Sequence, residues 1–271
     1  MMPPTNTIDM RREPLGSTSN FRRVQTGELL KYPRQVSRDS LRYSEIARSF
    51  SVEIRILELL QGHPRIVRYF GQGVGEGDER GIRLAEANQG DLQQYLDEHW
   101  EEIPENVRRS WCLQVVESVA YIHSRGVIHS DLRPENFLVH AKETGTLELW
   151  LCDFGGSTCK NLELDGRSLP DSGFSDPNSP WESTPQTDIF SVGSILYTIL
   201  TGHWPYRGRG PFSSLDEKYN YERKADDLFR KRQFPEVDKL FAGDVIMKCW
   251  EHAYATAEHL LKDILRHAQD A

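Results

Sequence analysis

A chain of 271 residues, 38% hydrophobic and 27% charged, has the profile of a water-soluble globular protein with room for a sizeable core. Its net charge of −8 argues against a general nucleic-acid or anionic-membrane binder, whose footprint is a basic excess. The longest largely apolar run, residues 189–200, is too short to span a bilayer and is interrupted by Ser191, Gly193 and Ser194, so it reads as a buried helix.

Residues 1–14 are polar, lack the apolar centre of a secretory signal and read as a flexible tail. From Gly16 to about Val36 the pattern predicts short strands around a tight turn at Thr26-Gly27. Residues 41–60 predict a helix, with Phe50, Ile54, Leu57 and Leu60 on one face. Glu53 lies beside that face, where a carboxylate is costly to bury unless it meets a cation; taken alone it reads as a surface residue. Strands are predicted over 66–70 and 82–85, separated by the turn-rich stretch GQGVGEGDERG, and a short helix over 91–100. Residues 104–124 predict an amphipathic helix, with Val107, Trp111, Val115, Val119 and Ile122 in register.

Two strands follow, over 137–140 and 147–152, and then a Gly-, Ser-, Pro- and Asp-rich irregular stretch over 156–187. The remainder is predicted helical from Asp188 onward. The cysteines, Cys112, Cys152, Cys159 and Cys249, show neither CxxC nor zinc-ligand spacing and read as reduced thiols, which implies a cytoplasmic or nuclear protein.

The most specific signal is His129-Ser130-Asp131-Leu132-Arg133-Pro134-Glu135-Asn136, followed by Asp153-Phe154-Gly155. Singly, Asp131 would be a turn-capping aspartate and DFG would mean little. In this order and spacing, with strands on either side and the long helix before them, the two resemble the catalytic motifs of the eukaryotic protein kinase superfamily. The stretch STPQTDIFSVGSILYTILTGHWPY is also similar to small kinase-like proteins of filamentous fungi.

That resemblance implies an α+β, two-lobed protein-kinase-like fold. A small antiparallel-sheet N-lobe with one helix would occupy 15–87, and a larger helical C-lobe 88–271. It implies Asp131 as the group orienting or deprotonating the attacking hydroxyl, Arg133 as positive charge for the transferring phosphate, and Asn136 and Asp153 as oxygen ligands of Mg2+. Lys31 would serve the α and β phosphates of ATP and pair with Glu53, ten residues before the His63-Pro64-Arg65-Ile66-Val67 motif; this gives Glu53 its cation. A phosphate-covering loop would hold Gly16, Thr18, Ser19 and Phe21, although only one of the family's three glycines stands there. The inter-lobe hinge would run through Ala85, which would guard the rear of the cleft and leave it roomy, with backbone of Glu86 and Ala87 or Asn88 meeting adenine and Asp91 meeting the ribose.

Two departures bear on regulation. Ser130 replaces the arginine that normally meets a phosphate on the following segment. Asp176 stands where a buried glutamate is expected, while the region of its arginine partner reads Glu251-His252-Ala253-Tyr254, so both sides are altered together. The expected activity is transfer of the ATP γ-phosphate to a serine or threonine of a protein, by a monomer without nucleic-acid or membrane partners. The alternative is a pseudokinase scaffold that binds nucleotide without transferring phosphate.

Overall fold

Gly27 adopts φ 80°, the left-handed turn that folds β1 (Ser19–Gln25) back on β2 (Glu28–Pro33). The computed structural model describes residues 18–269; the sequence readings for 1–14 and Gly16 lie outside them. β2 pairs with β4 (Arg80–Ala85), and β4 with β3 (Tyr69–Val74), giving an antiparallel sheet of order β1-β2-β4-β3.

Against this sheet lies α1 (Leu41–Leu60), which is capped by Ser40 through the Arg42 N–H and buries Ile46, Phe50, Val52, Glu53, Ile56, Leu57 and Leu60. The helix has the predicted bounds, but Glu53 is on its buried face.

The remaining chain forms a mainly helical lobe around α4 (Pro185–Thr201). This helix is buried from Asp188 to Ile199, with Asp188, Ser191, Ser194 and Thr198 among its buried residues, so it is enclosed nearly all round rather than amphipathic. A Thr184–Thr187 capping box starts it, and Gly202 in the left-handed region ends it. Around it lie α2 (Leu92–His99), α3 (Glu105–Ser124), α5 (Leu215–Arg230), α6 (Gly243–Trp250) and α7 (Ala257–Gln269). Gly193 lets α4 approach α6 closely, since a Cβ there would press on Cys249 and Trp250. An antiparallel-sheet lobe with one helix, followed by a helical lobe, is the two-lobed kinase architecture expected from the motifs.

Three local expectations are corrected. The strand expected over 66–70 begins at Tyr69 and continues to Val74, through glycines that had read as a turn. Before it, Ile66 bridges to Leu151, and Arg65 and Val67 share backbone hydrogen bonds with Leu151, so this stretch joins the lobes instead of the sheet. A bulge at Gly71, φ 102°, takes up the change. The irregular stretch 156–187 contains two short strands, β8 (Thr158–Cys159) and β9 (Leu164–Asp165), paired with each other; β8 also pairs with β5 (Val127–Ile128). The helix expected from Asp188 begins one turn earlier, at Pro185, because Thr184 caps it.

Candidate active site

The catalytic-type motifs sit on loops held by short strands. β6 (Phe137–Ala141) and β7 (Leu147–Leu151) form a hairpin that places Asn136 and Asp153 beside each other, just outside its ends. Cys152 N–H donates to the Asn136 carbonyl at 2.9 Å and closes that arrangement. Asp188, fully buried on α4, accepts from the backbone N–H of His129 (2.8 Å) and Ser130 (2.9 Å), with His123 Nε2 2.8 Å away. One carboxylate thus fixes the loop that carries Asp131, in a chain where Ser130 takes φ 70°. Asn136 Nδ2 donates to the Asp131 carbonyl at 2.6 Å, which leaves the Asn136 amide oxygen for another partner.

Lys31 joins the two lobes. Its Nζ donates to Glu53 Oε2 and Oε1 (2.8 and 2.9 Å) and to Asp153 Oδ1 (2.8 Å). Lys31 and Glu53 are buried, with side chains 4% and 1% exposed, whereas Asp153 is 49% exposed and opens to the cleft. Burial works against the Lys31 charge, but Asp153 and Glu53 outweigh it and hold its pKa above the ordinary lysine value. Lys31 in turn holds Asp153 below the usual carboxylate range. Burial pushes Glu53 the other way, with Lys31 opposing. The ammonium between two carboxylates stays protonated.

Asp153 takes φ 61°, ψ 63°, and the turn after it buries Phe154, whose ring lies 5.1 Å from His129. His129 Nε2 meets the Cys152 carbonyl at 3.0 Å. Asp131 is pushed up to about 7, mainly by burial; Arg133 opposes this, and Asp153 and Asp171 add to it. Arg133 Nη1 donates to Asp171 Oδ2 at 2.6 Å, and its Nε lies 3.5 Å from Glu135.

Lys31, Glu53, Asp131, Arg133, Asn136 and Asp153 are therefore gathered about one cleft. Of the stretch expected to form the phosphate loop, the described residues lie in or next to a strand. Ser19 opens strand β1 and is 3% exposed, and Thr18 lies just before it, its carbonyl accepting from Arg34 N–H. Phe21 stands directly across β1–β2 from Lys31, on the same face of the sheet. Pairing with β2 has drawn these residues into the strand.

At the hinge, Glu86 spends its backbone N–H on the Gly27 carbonyl and its carboxylate on Arg23. Asn88 is tied through its amide to both backbone groups of Ala141. Asp91 caps α2 through the Gln94 N–H at 2.9 Å, and burial raises its pKa. Ala87 lies between these anchored residues. The register Leu29↔Leu84 and Lys31↔Ile82 puts Leu84 on the Lys31 face and turns Ala85 away. The residue guarding the rear of the cleft is thus a leucine, which narrows it. Sequence reading missed this by one position, and it missed Asp171; only pairing register and tertiary contact reveal them.

Oxygen donors at Asn136 and Asp153 suit a hard divalent cation that takes further ligands from phosphate. Among the described residues, no group of three or more His, Cys, Asp and Glu could hold a metal by itself. The donor set therefore fits magnesium arriving with a nucleotide.

A lysine–glutamate pair in the N-terminal lobe reaching Asp153, with an aspartate–asparagine loop beneath it, is the arrangement expected of a protein-kinase-like domain. The chain matches the protein kinase domain model over residues 30–270 and belongs to that family. It is 31% identical to Cell division control protein 7 of Schizosaccharomyces pombe over 202 residues, 72% of this chain and 18% of that protein. It is 28% identical to the Probable serine/threonine-protein kinase iksA of Dictyostelium discoideum over 216 residues, 65% of this chain and 22% of that protein. With CDPK-related kinase 8 of Arabidopsis thaliana it shares 27% over 228 residues, 79% of this chain and 37% of that protein. The matched region spans between about a fifth and two fifths of these relatives. No helix among the described residues is long and apolar enough to cross a membrane.

Proposed function

We propose that this protein is an ATP-dependent serine/threonine protein kinase, active inside the cell as a monomer. The observation that carries the reading is the position of Lys31 Nζ, within 2.9 Å of both Glu53 oxygens and of Asp153, above the loop that Asp188 fixes. Relatives named as serine/threonine kinases and the Leu132-Arg133-Pro134-Glu135-Asn136 stretch support the substrate class.

In this reading Lys31 neutralises the non-transferred phosphates of ATP, and Leu29 and Leu84 border the base. Asp131 orients the substrate hydroxyl and takes its proton as the oxygen attacks the γ-phosphorus. The bond to the β–γ bridging oxygen then breaks and ADP leaves. Magnesium, held by Asn136 and Asp153, supplies charge neutralisation at the phosphates when bound. Arg133 adds positive charge beside Asp131.

The test is incubation of purified protein with labelled ATP and magnesium, with generic protein substrates and itself as acceptors, beside Asp131→Asn. Label that depends on Asp131 supports the kinase. Thermal stabilisation by ATP without label supports a nucleotide-binding scaffold, a second reading favoured by one observation: residues 19–21 lie in strand β1 and not in a glycine-rich loop. Neither response refutes both.

A further inference from the structure

We infer that Asp171, on the segment between β9 and α4, is a positioning residue for Arg133 in phosphoryl transfer; the inference rests on the kinase reading above. Arg133 comes two residues after Asp131, in extended backbone (φ −159°, ψ 164°) that ends at Pro134. Its side chain is long and, left to itself, would sample many rotamers or fold onto Asp131. Instead Nη1 donates to Asp171 Oδ2 at 2.6 Å, and Nε lies 3.5 Å from Glu135 Oε2. Within the described residues no hydrogen bond uses Nη2, which remains for an incoming phosphate oxygen.

Asp171 is itself mounted on the core. Its carbonyl accepts from Phe174 N–H (3.0 Å) and Ser175 Oγ (3.3 Å). Phe174 is fully buried, lies edge-on to Trp204 at 5.1 Å, and receives Ser191 Oγ at 2.6 Å on its own carbonyl. Two residues further on, Asp176 is held by His252. Arg133 is thus aimed from a frame built on α4, before substrate binds, which is where orientation is most useful to a transfer reaction. The same carboxylate keeps the guanidinium from pairing fully with Asp131, so the base stays available for a proton.

The experiment compares kcat, KM for ATP and the pH–rate profile of the parent, Asp171→Asn, Asp171→Glu and Arg133→Gln, plus the Asp171→Asn/Arg133→Gln double variant. Asp165→Asn, an exposed segment carboxylate bonded among the described residues only to Arg167 N–H and Thr158, is the control and keeps parental activity. Asp171→Asn should lower kcat about tenfold or more, change KM for ATP less than about threefold, and move the acid limb to lower pH, because a negative neighbour of Asp131 is gone. Asp171→Glu should recover most of the rate, and the double variant should be no worse than Arg133→Gln alone. Parental kcat and pH profile in Asp171→Asn overturn the inference while leaving the kinase reading intact, as does an additive double variant. A parent with no transfer activity sinks the kinase reading and takes this inference with it.

Discussion

Asp176 Oδ2 and His252 Nε2 meet at 2.8 Å across 76 positions of sequence, with Arg232 Nη2 3.3 Å from the same oxygen. The Asp176 side chain is 3% exposed, so this contact anchors the end of the segment that carries Asp171. The region in which the expected arginine is replaced supplies the altered partner, a histidine. Phe190 on α4 stacks against the imidazole at 5.8 Å.

The first prediction follows from that pair. Burial raises the Asp176 pKa, but the His252 hydrogen bond, with help from Asn178 N–H and Arg232, leaves it below the ordinary value. A carboxylate with a depressed folded pKa contributes stability that is present above its unfolded pKa, about 4, and is lost as pH falls through the folded value. His252→Ala should cost about 1–3 kcal/mol at pH 7, and less at an acid pH below the depressed folded value, where Asp176 is protonated in both states. Urea denaturation of parent and variant at both pH values decides it. An equal cost at the two values would show that His252 acts by packing alone.

A second prediction concerns Lys31→Met. The substitution leaves Glu53 buried without its ammonium, and breaking a buried pair costs about 3–5 kcal/mol, within what a folded domain of this size tolerates. Labelling from ATP should vanish while the circular dichroism spectrum is kept. Adding Glu53→Gln to Lys31→Met should recover part of the lost stability and none of the activity. Parental activity in Lys31→Met would remove Lys31 from its assigned role.

Asp131→Asn should move activity and stability in opposite directions. Loss of a general base lowers kcat by about 10²–10⁴. Asp131 has a folded pKa raised to about 7, so its ionisation in the folded protein is unfavourable, and stability falls as pH rises from the unfolded pKa through 7. Removing the charge should therefore raise stability at pH 8 by ~1–3 kcal/mol, with little gain at pH 4. In the parent, kcat should rise with pH through about 7 as the base ionises. A variant less stable than the parent at pH 8 would contradict this account.

The parts of the site that were legible in sequence are those where chemistry demands a residue type at a fixed short spacing. Asp131, Arg133 and Asn136 lie on one loop, and the β6–β7 hairpin carries Asp153 back to it. Lys31 and Glu53 were found only through the expected pairing, because a buried carboxylate on α1 looks like a surface one until its cation is named. What could not be read was set by register and long-range contact. Whether Leu84 or Ala85 faces the cleft depends on which β2 residue it opposes, and a shift of one reverses the answer. The Arg133–Asp171 pair spans 38 positions inside a stretch without periodicity, and nothing local marks it. At residues 19–21 the local pattern, which predicts short strands from Gly16 on, and the resemblance, which puts a phosphate loop there, disagree; pairing with β2 makes them strand.

The last prediction tests how α1 is coupled to the turn after Asp153. Gly155 approaches α1 so closely that a Cβ there would run into Ser49 Oγ, with the Ser49 Cβ 3.3 Å and carbonyl 3.4 Å away. Ser49 is one helical turn before Glu53, so displacing it pulls Glu53 away from Lys31. Gly155→Ala should lower the transfer rate about 10- to 100-fold and cost ~1–3 kcal/mol through overpacking. Ser49→Ala removes the clashing oxygen and leaves contacts of 3.3 Å to its Cβ and 3.4 Å to its carbonyl, which a shift of a few tenths of an ångström relieves. Alone it should behave like the parent, and added to Gly155→Ala it should restore most of the rate and stability. Transfer rates and thermal melts of the four proteins complete the cycle. If Ser49→Ala gives no rescue, the loss lies in the backbone of the turn itself, and α1 is not what positions the Lys31–Glu53 pair against Asp153.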